Sequence, residues 1–165
     1  MSHLRPATGA DRAALAAFRC ARPSASFERE VEEFFGDALT WRDHPEGDGR
    51  DVLVLDEDGE ITAAVAYEDD DDDIFVNALA VRSDCQGAGR GTQVLLSTLA
   101  DLTERRSPSV VTWLVHPANF ASHAMSEAVG AEATYPAEDR PYARYAIQIS
   151  SLGFDRVEIA GSGRR

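Results

Sequence analysis

The sequence contains no lysine: its sixteen cationic side chains are all arginine, set against 29 carboxylates, for a net charge of −13. Phosphate backbones and anionic lipid both require a clustered cationic face. The composition therefore excludes nucleic-acid and membrane-surface binding and favours an amine-bearing or cationic partner. Cysteine is equally scarce. Cys20 and Cys85 are too few for a disulfide framework or a cysteine zinc site, so no metal is expected. No apolar run reaches transmembrane length, and the opening Met1-Ser2-His3-Leu4-Arg5-Pro6 is not of signal-peptide type. These absences predict a soluble, cytoplasmic protein in a reducing compartment. The chain has 165 residues, 44% apolar and 27% charged, which is enough for one domain with a real core. Residues 1–165 are read as that domain, with 151–165 as a C-terminal extension.

Periodicity and turn chemistry outline the elements. Leu4 to Pro6 reads as a short strand, and Thr8 caps a helix from Asp11 to Cys20. A second helix is predicted over Phe27–Leu39, and His44–Gly49 is a loop by composition. Asp51–Leu55 and Glu60–Tyr67 are strands joined by the turn Asp56-Glu57-Asp58-Gly59. The six carboxylates Glu68 to Asp73 read as a solvated hairpin turn, because adjacent like charges resist burial. Ile74–Val81 is almost continuously apolar, as a strand covered on both faces is. An amphipathic helix over Gly89–Arg106 carries Leu95, Leu99 and Leu102 on one stripe, and Ser109–Val115 is another buried strand. Pro117 and Asn119 open a helix that Gly130 ends. Strands follow at Ala131–Tyr135 and Tyr142–Ile149, and a last one at Phe154–Ile159. Strands 74–81 and 109–115 flank one helix, so a parallel pair with a right-handed crossover is expected inside a mixed sheet.

The most informative stretch is Gln86-Gly87-Ala88-Gly89-Arg90-Gly91-Thr92, between the buried strand and the amphipathic helix. Its three glycines permit tight turns and leave backbone amides bare. At a helix N-terminus such amides form an anion site that suits a pyrophosphate. A Walker loop is excluded, since it needs a lysine. A dinucleotide fingerprint would need glycine at position 92, which is Thr92.

Residues Val76 to Leu102 resemble the signature motif of the GNAT superfamily, the acetyl-CoA-dependent N-acyltransferases. Gln86, Gly89 and Gly91 fill its Arg/Gln-x-x-Gly-x-Gly/Ala pattern after a strand ending Leu79-Ala80-Val81. Asn119, Ser122 and Gly130 fill the places of the family's next motif. The resemblance implies an α/β, mixed α+β fold: a mostly antiparallel central sheet with one splayed parallel strand pair and flanking helices. It implies acetyl-CoA as cosubstrate. The pantetheine arm would bond along Leu79, Ala80 and Val81. The amides of Gln86, Gly87, Ala88, Gly89, Arg90, Gly91 and Thr92 would cradle the pyrophosphate, and Asn119 and Ser122 would meet the pantetheine. An amide near Leu79 would polarise the thioester carbonyl, and an acceptor amine would attack directly.

Two departures bear on catalysis. Many members carry a tyrosine acid where this chain has Ser126, and some carry a glutamate on the strand that here begins Ile74-Phe75-Val76-Asn77. Asn77, the one polar residue of that strand, either orders a water that takes the amine proton or satisfies neighbouring backbone. Ser126 is either a poor substitute acid or a small helix residue. His116 and the strand tyrosines Tyr142 and Tyr145 are further candidates for the acceptor side, while His123 reads as surface and Cys85 as packing. The expected function is N-acetyl transfer from acetyl-CoA to a primary amine on a small molecule or peptide, and a homodimer is compatible with it. The alternatives are a non-catalytic acyl-CoA-binding module, motivated by the missing tyrosine and glutamate, and an unrelated phosphate-binding regulatory domain.

Overall fold

The computed structural model describes residues 1–20, 51–134 and 142–153. The expected helix at 27–39, the loop at 44–49 and the last strand at 154–159 lie outside them. Seven strands form one sheet: β1 (Ser2–Pro6), β2 (Asp51–Glu57), β3 (Glu60–Asp70), β4 (Asp73–Val81), β5 (Val110–Val115), β6 (Glu132–Thr134) and β7 (Ala143–Gln148), in the order β1-β2-β3-β4-β5-β7-β6. Among the described residues β4 and β5 are the parallel pair, and the other neighbours are antiparallel. Among the described residues three α-helices accompany the sheet: α1 (Arg12–Ala16), α2 (Arg90–Arg106) and α3 (Phe120–Ala128).

Each face of the sheet has its own apolar cluster. Leu95, Leu99 and Leu102 of α2, all fully buried, pack with Val65, Val76, Val111 and Trp113. On the opposite face Leu15 and Phe18 cover Val52, Val54, Ala64 and Ala80. The first helix is shorter than its periodicity suggests. A 3-10 turn over Gly9–Asp11 precedes it, and it ends at Ala16. Beyond it the chain turns to pair with the end of β4, where the Arg19 carbonyl accepts from the Ser83 amide at 2.8 Å.

Both hairpins are tighter than the sequence reading. β2 continues through Glu57, leaving Asp58-Gly59 as a two-residue turn with φ of 54° and 89°, the left-handed pair that a hairpin of this length requires. The acidic run is mostly strand, with only Asp71 and Asp72 between β3 and β4. Three of its carboxylates have partners here: Asp69 meets Arg106, Asp70 meets Arg144 at 3.7 Å, and Asp73 accepts from the Val110 amide at 2.9 Å.

One irregularity organises the sheet. Ala66 pairs with Ala78, but its neighbour Tyr67 pairs with Val76, so Asn77 is the extra residue of a β-bulge. The bulge reverses the side-chain alternation of β4. Ile74 and Val76 lie in the helix-side cluster before it, and Leu79 and Val81 join that cluster after it. The parallel pairing with β5 runs from Ile74↔Val111 to Val76↔Trp113 and stops there.

Candidate functional site

Where β4 and β5 part, the strand from Ala78 to Val81 remains paired to β3 on one side and turns its other backbone edge to a cleft of about 500 Å³. Leu79, Ala80 and Val81 line this cleft, as do Gln86, Gly87, Gly89, Arg90, Gly91 and Thr92 of the loop, and Asn119 and Ser122 of α3. Among the loop residues proposed from sequence, Ala88 is the one that does not line it. Cys20 lines it as well, and so does a helical row of small residues, Ala121, Ala124 and Ala128. That row, spaced three and four apart, was present in the sequence as a stripe too small for a core face.

The loop follows from its sequence. Gly87, Ala88 and Gly89 take φ of 98°, 51° and 74° in succession, a left-handed run that glycine adopts without penalty. It delivers the chain into α2, whose first-turn amides of Gly91 and Thr92 have no carbonyl within the helix to meet. The Arg90 amide differs, because it donates to the Gly87 carbonyl at 3.0 Å. Gly91 has a second reason to be small: a Cβ there would lie 3.2 Å from Met125 Sδ, where α2 and α3 approach closely.

Gln86 ties the loop down with its side chain. Its Nε2 donates to the Cys20 carbonyl at 2.8 Å and the Val81 carbonyl at 2.9 Å, clasping the segment after α1 to the end of β4. Asn119 caps α3, its Oδ1 accepting from the Ser122 amide at 3.2 Å, and its NH2 is the donor left for a ligand. The two arginines nearest the loop are both held by carboxylates. Arg82 meets Asp84 at 2.6 Å and Glu60 at 3.1 Å, and Arg90 pairs with Glu57. Burial raises the Cys85 thiol above its ordinary value, aided by the neighbouring Asp84, which removes it from the candidates for a nucleophile.

A second cavity of about 390 Å³ adjoins the first and shares Leu79, Asn119, Ser122 and Met125 with it. Asn77 lines it, and its Oδ1 is buried without a hydrogen-bond partner among the described residues. His116 and Tyr142 line it too, their rings edge to face at 5.3 Å. Ser126 is not brought to either cavity. It is fully buried, its hydroxyl accepting from Trp113 Nε1 at 2.9 Å and donating to the Ser122 carbonyl at 2.7 Å. Tyr145 lies behind α3, buried, with its hydroxyl 2.8 Å from His123 Nδ1. His123 is correspondingly a bridge rather than a surface residue, since its Nε2 lies 3.2 Å from the His116 carbonyl.

The model of the acetyltransferase (GNAT) family matches residues 13–131. The chain belongs to the GNAT acetyltransferase family. Its members are acetyl-CoA-dependent acyltransferases, and this protein is one. Solved structures carry the same fold. The ribosomal-protein-S18-alanine N-acetyltransferase of Escherichia coli aligns over 90% of this chain and 94% of its own, at 23% identity and a TM-score of 0.62. The spermidine/spermine N-acetyltransferase SpeG of Vibrio cholerae aligns over 95% and 99%, at 14% and 0.66. PaiA N-acetyltransferase of Thermoplasma acidophilum, solved with coenzyme A, aligns over 90% and 99%, at 10% and 0.68. No curated protein sequence matches significantly. Among the described residues no helix is long and apolar enough to cross a membrane.

Proposed function

We propose that this GNAT protein transfers the acetyl group of acetyl-CoA to a primary amine by direct attack. The observation that carries this reading is the bulge at Asn77. It ends the β4–β5 pairing and thereby creates both a free backbone edge and two joined cavities. A free edge inside a fold is costly unless something bonds to it. The pantetheine chain, with its two amides, has the donors and acceptors to do so along Leu79 and Val81.

The remaining fit is chemical. The amides of Gly91 and Thr92, with the left-handed turn before them, suit a pyrophosphate. Arg82 and Arg90 are paired to carboxylates, so the backbone amides are the donors this loop offers the anion. Asn119 NH2 donates to the pantetheine, beside Ser122. Bound acetyl-CoA supplies an activated thioester at the junction of the two cavities. A backbone amide near Leu79 stabilises the negative charge that develops on its carbonyl oxygen. The acceptor enters through the second cavity, where Asn77 Oδ1 has no partner among the described residues and accepts an N–H of the amine or of a water beside it. No side chain is needed to protonate the departing thiolate, since a thiol of ordinary pKa near 8.5 leaves readily as the anion. Ser126, its hydroxyl committed at both ends, plays no part in that step.

The test has two readouts. Isothermal titration with coenzyme A tests the cleft, and thiol release from acetyl-CoA across a panel of amines tests the chemistry. Binding together with amine-dependent thiol release is expected. Binding without thiol release from any amine of the panel would count against direct attack by a small primary amine.

A further inference from the structure

Tyr145, on β7, is 1% exposed and stacks on Trp113 of β5 with ring centroids 6.3 Å apart. A phenol buried so completely needs a partner for its hydroxyl. His123 of α3 provides one, its Nδ1 lying 2.8 Å from the Tyr145 oxygen. The other ring nitrogen, Nε2, lies 3.2 Å from the His116 carbonyl. A carbonyl oxygen only accepts, so Nε2 carries the proton. In the neutral ring Nδ1 then has a lone pair, and the Tyr145 hydroxyl donates to it. One imidazole thereby ties β7 to the residue that follows β5.

That residue begins the turn into α3. The His116 carbonyl also accepts from the Asn119 amide at 2.9 Å, so its oxygen is shared between the ring of His123 and the backbone of Asn119. Asn119 has φ −89° and ψ 71°, close to an inverse γ-turn rather than the extended conformation usual at a helix N-cap. Its geometry follows from what holds the backbone on each side. Before it stands the His116 carbonyl. After it, the Ser122 carbonyl accepts from the Ser126 hydroxyl at 2.7 Å, and that hydroxyl accepts from Trp113. Between these two anchors Asn119 lines both cavities.

Resting on the reading that Asn119 holds the pantetheine, we propose that His123 and Tyr145 are positioning residues for the coenzyme, fixing the 116–119 turn so that the Asn119 NH2 is in place before the ligand arrives. Neither side chain lines either cavity, so both act through Asn119. A donor ordered in advance gives up less freedom on binding, which raises affinity without adding a contact. Without the imidazole bond, the His116 carbonyl is held on one side only, and the turn can rotate. Affinity then falls although every residue that touches the ligand is still present. Two consequences follow from this geometry. The loss must pass through Asn119, and what the site needs at position 123 is an N–H donor where Nε2 stands, not an imidazole as such.

The test is a double-variant cycle read by calorimetric titration of coenzyme A. His123→Phe keeps a planar ring and removes the bonds to Tyr145 and to the His116 carbonyl. It should raise Kd about tenfold, the scale of one hydrogen bond. His123→Gln returns an N–H donor near the place of Nε2 and should recover most of that affinity. In an Asn119→Ala background His123→Phe should cost nothing further, because residues acting through one another are not additive. Tyr145→Phe deletes a single hydroxyl and should raise Kd roughly threefold, again only where Asn119 is present. It carries the same cycle if His123→Phe does not fold. Nitrogen NMR of the imidazole rings at about pH 9, where imidazoles are neutral, should place the His123 proton on Nε2. A loss that persists in the Asn119→Ala background, a loss that His123→Gln does not restore, unchanged affinity in the folded variants, or a His123 proton on Nδ1 would each overturn the inference and leave the transferase reading intact. Failure of the wild type to bind coenzyme A would instead overturn that reading, and the inference with it.

Discussion

Trp113 Nε1 donates to Ser126 Oγ at 2.9 Å, and both side chains are buried under α3. The serine therefore satisfies an indole that would otherwise be an orphaned donor, and passes its own proton to the Ser122 carbonyl. Ser126→Ala should lower stability by about 1–3 kcal/mol, the usual penalty for a stranded buried donor, and reduce kcat less than tenfold. Chemical denaturation and thiol-release kinetics on the same preparation separate the two effects. Loss of turnover in a folded variant that still binds coenzyme A would make Ser126 an acid after all.

Gly89, at φ 74°, is the last left-handed residue before α2. A β-branched side chain resists that conformation and would also stand between the cleft and the amides of Gly91 and Thr92. Gly89→Val should weaken coenzyme A binding by at least tenfold while far-UV circular dichroism remains native. Unchanged affinity in the folded variant would detach the loop from the pyrophosphate.

Most of the scaffold was legible because its signals are local. A turn within Asp56–Gly59, the leucine stripe of α2 and Gly130 after α3 each depend on residues within a few positions of one another. The bulge at Asn77 was not legible. It is an offset of one residue between two strands, and β4 is apolar at so many positions that no alternation marks the reversal. The role of Gln86 was hidden for a related reason. Its motif position points to the phosphate loop, but the partners of its side chain, the Cys20 and Val81 carbonyls, are set by how the chain returns to the sheet after α1. Ser126 could be seen to differ from a tyrosine, yet its partnership with Trp113 is a tertiary contact across thirteen residues.

Arg5 donates to both carboxylate oxygens of Asp11, at 2.8 and 2.9 Å, and also to Asp56. The guanidinium hydrogen bonds hold the Asp11 carboxyl down at about 2, against burial that would raise it. A carboxyl depressed on folding stabilises the native state above its unfolded pKa and ceases to do so as pH falls through the folded value. The contribution, about 2 kcal/mol, should therefore be complete above pH 4 and vanish near pH 2. Thermal melts of the wild type and Asp11→Asn across pH 2–7 check this. The gap in stability between the two should be widest near neutrality and close in acid, and a gap independent of pH would show that the pair contributes geometry alone.

Asn77 Oδ1 is buried and without a partner among the described residues at the bulge that separates β4 from β5. An unpaired buried carbonyl is destabilising in the empty protein, so its replacement separates stability from function with opposite signs. Asn77→Ala should unfold at an equal or higher temperature than the wild type, bind coenzyme A unchanged, and lose roughly 10²-fold in kcat/KM, the lower range for assistance to a proton transfer. Asn77→Asp keeps the acceptor but adds a charge that holds the substrate as ammonium. Its activity should rise at higher pH than that of the wild type. If Asn77→Ala turned over normally across pH 6–10, the buried carbonyl would have no role in handling the amine, and the proton would pass directly to solvent.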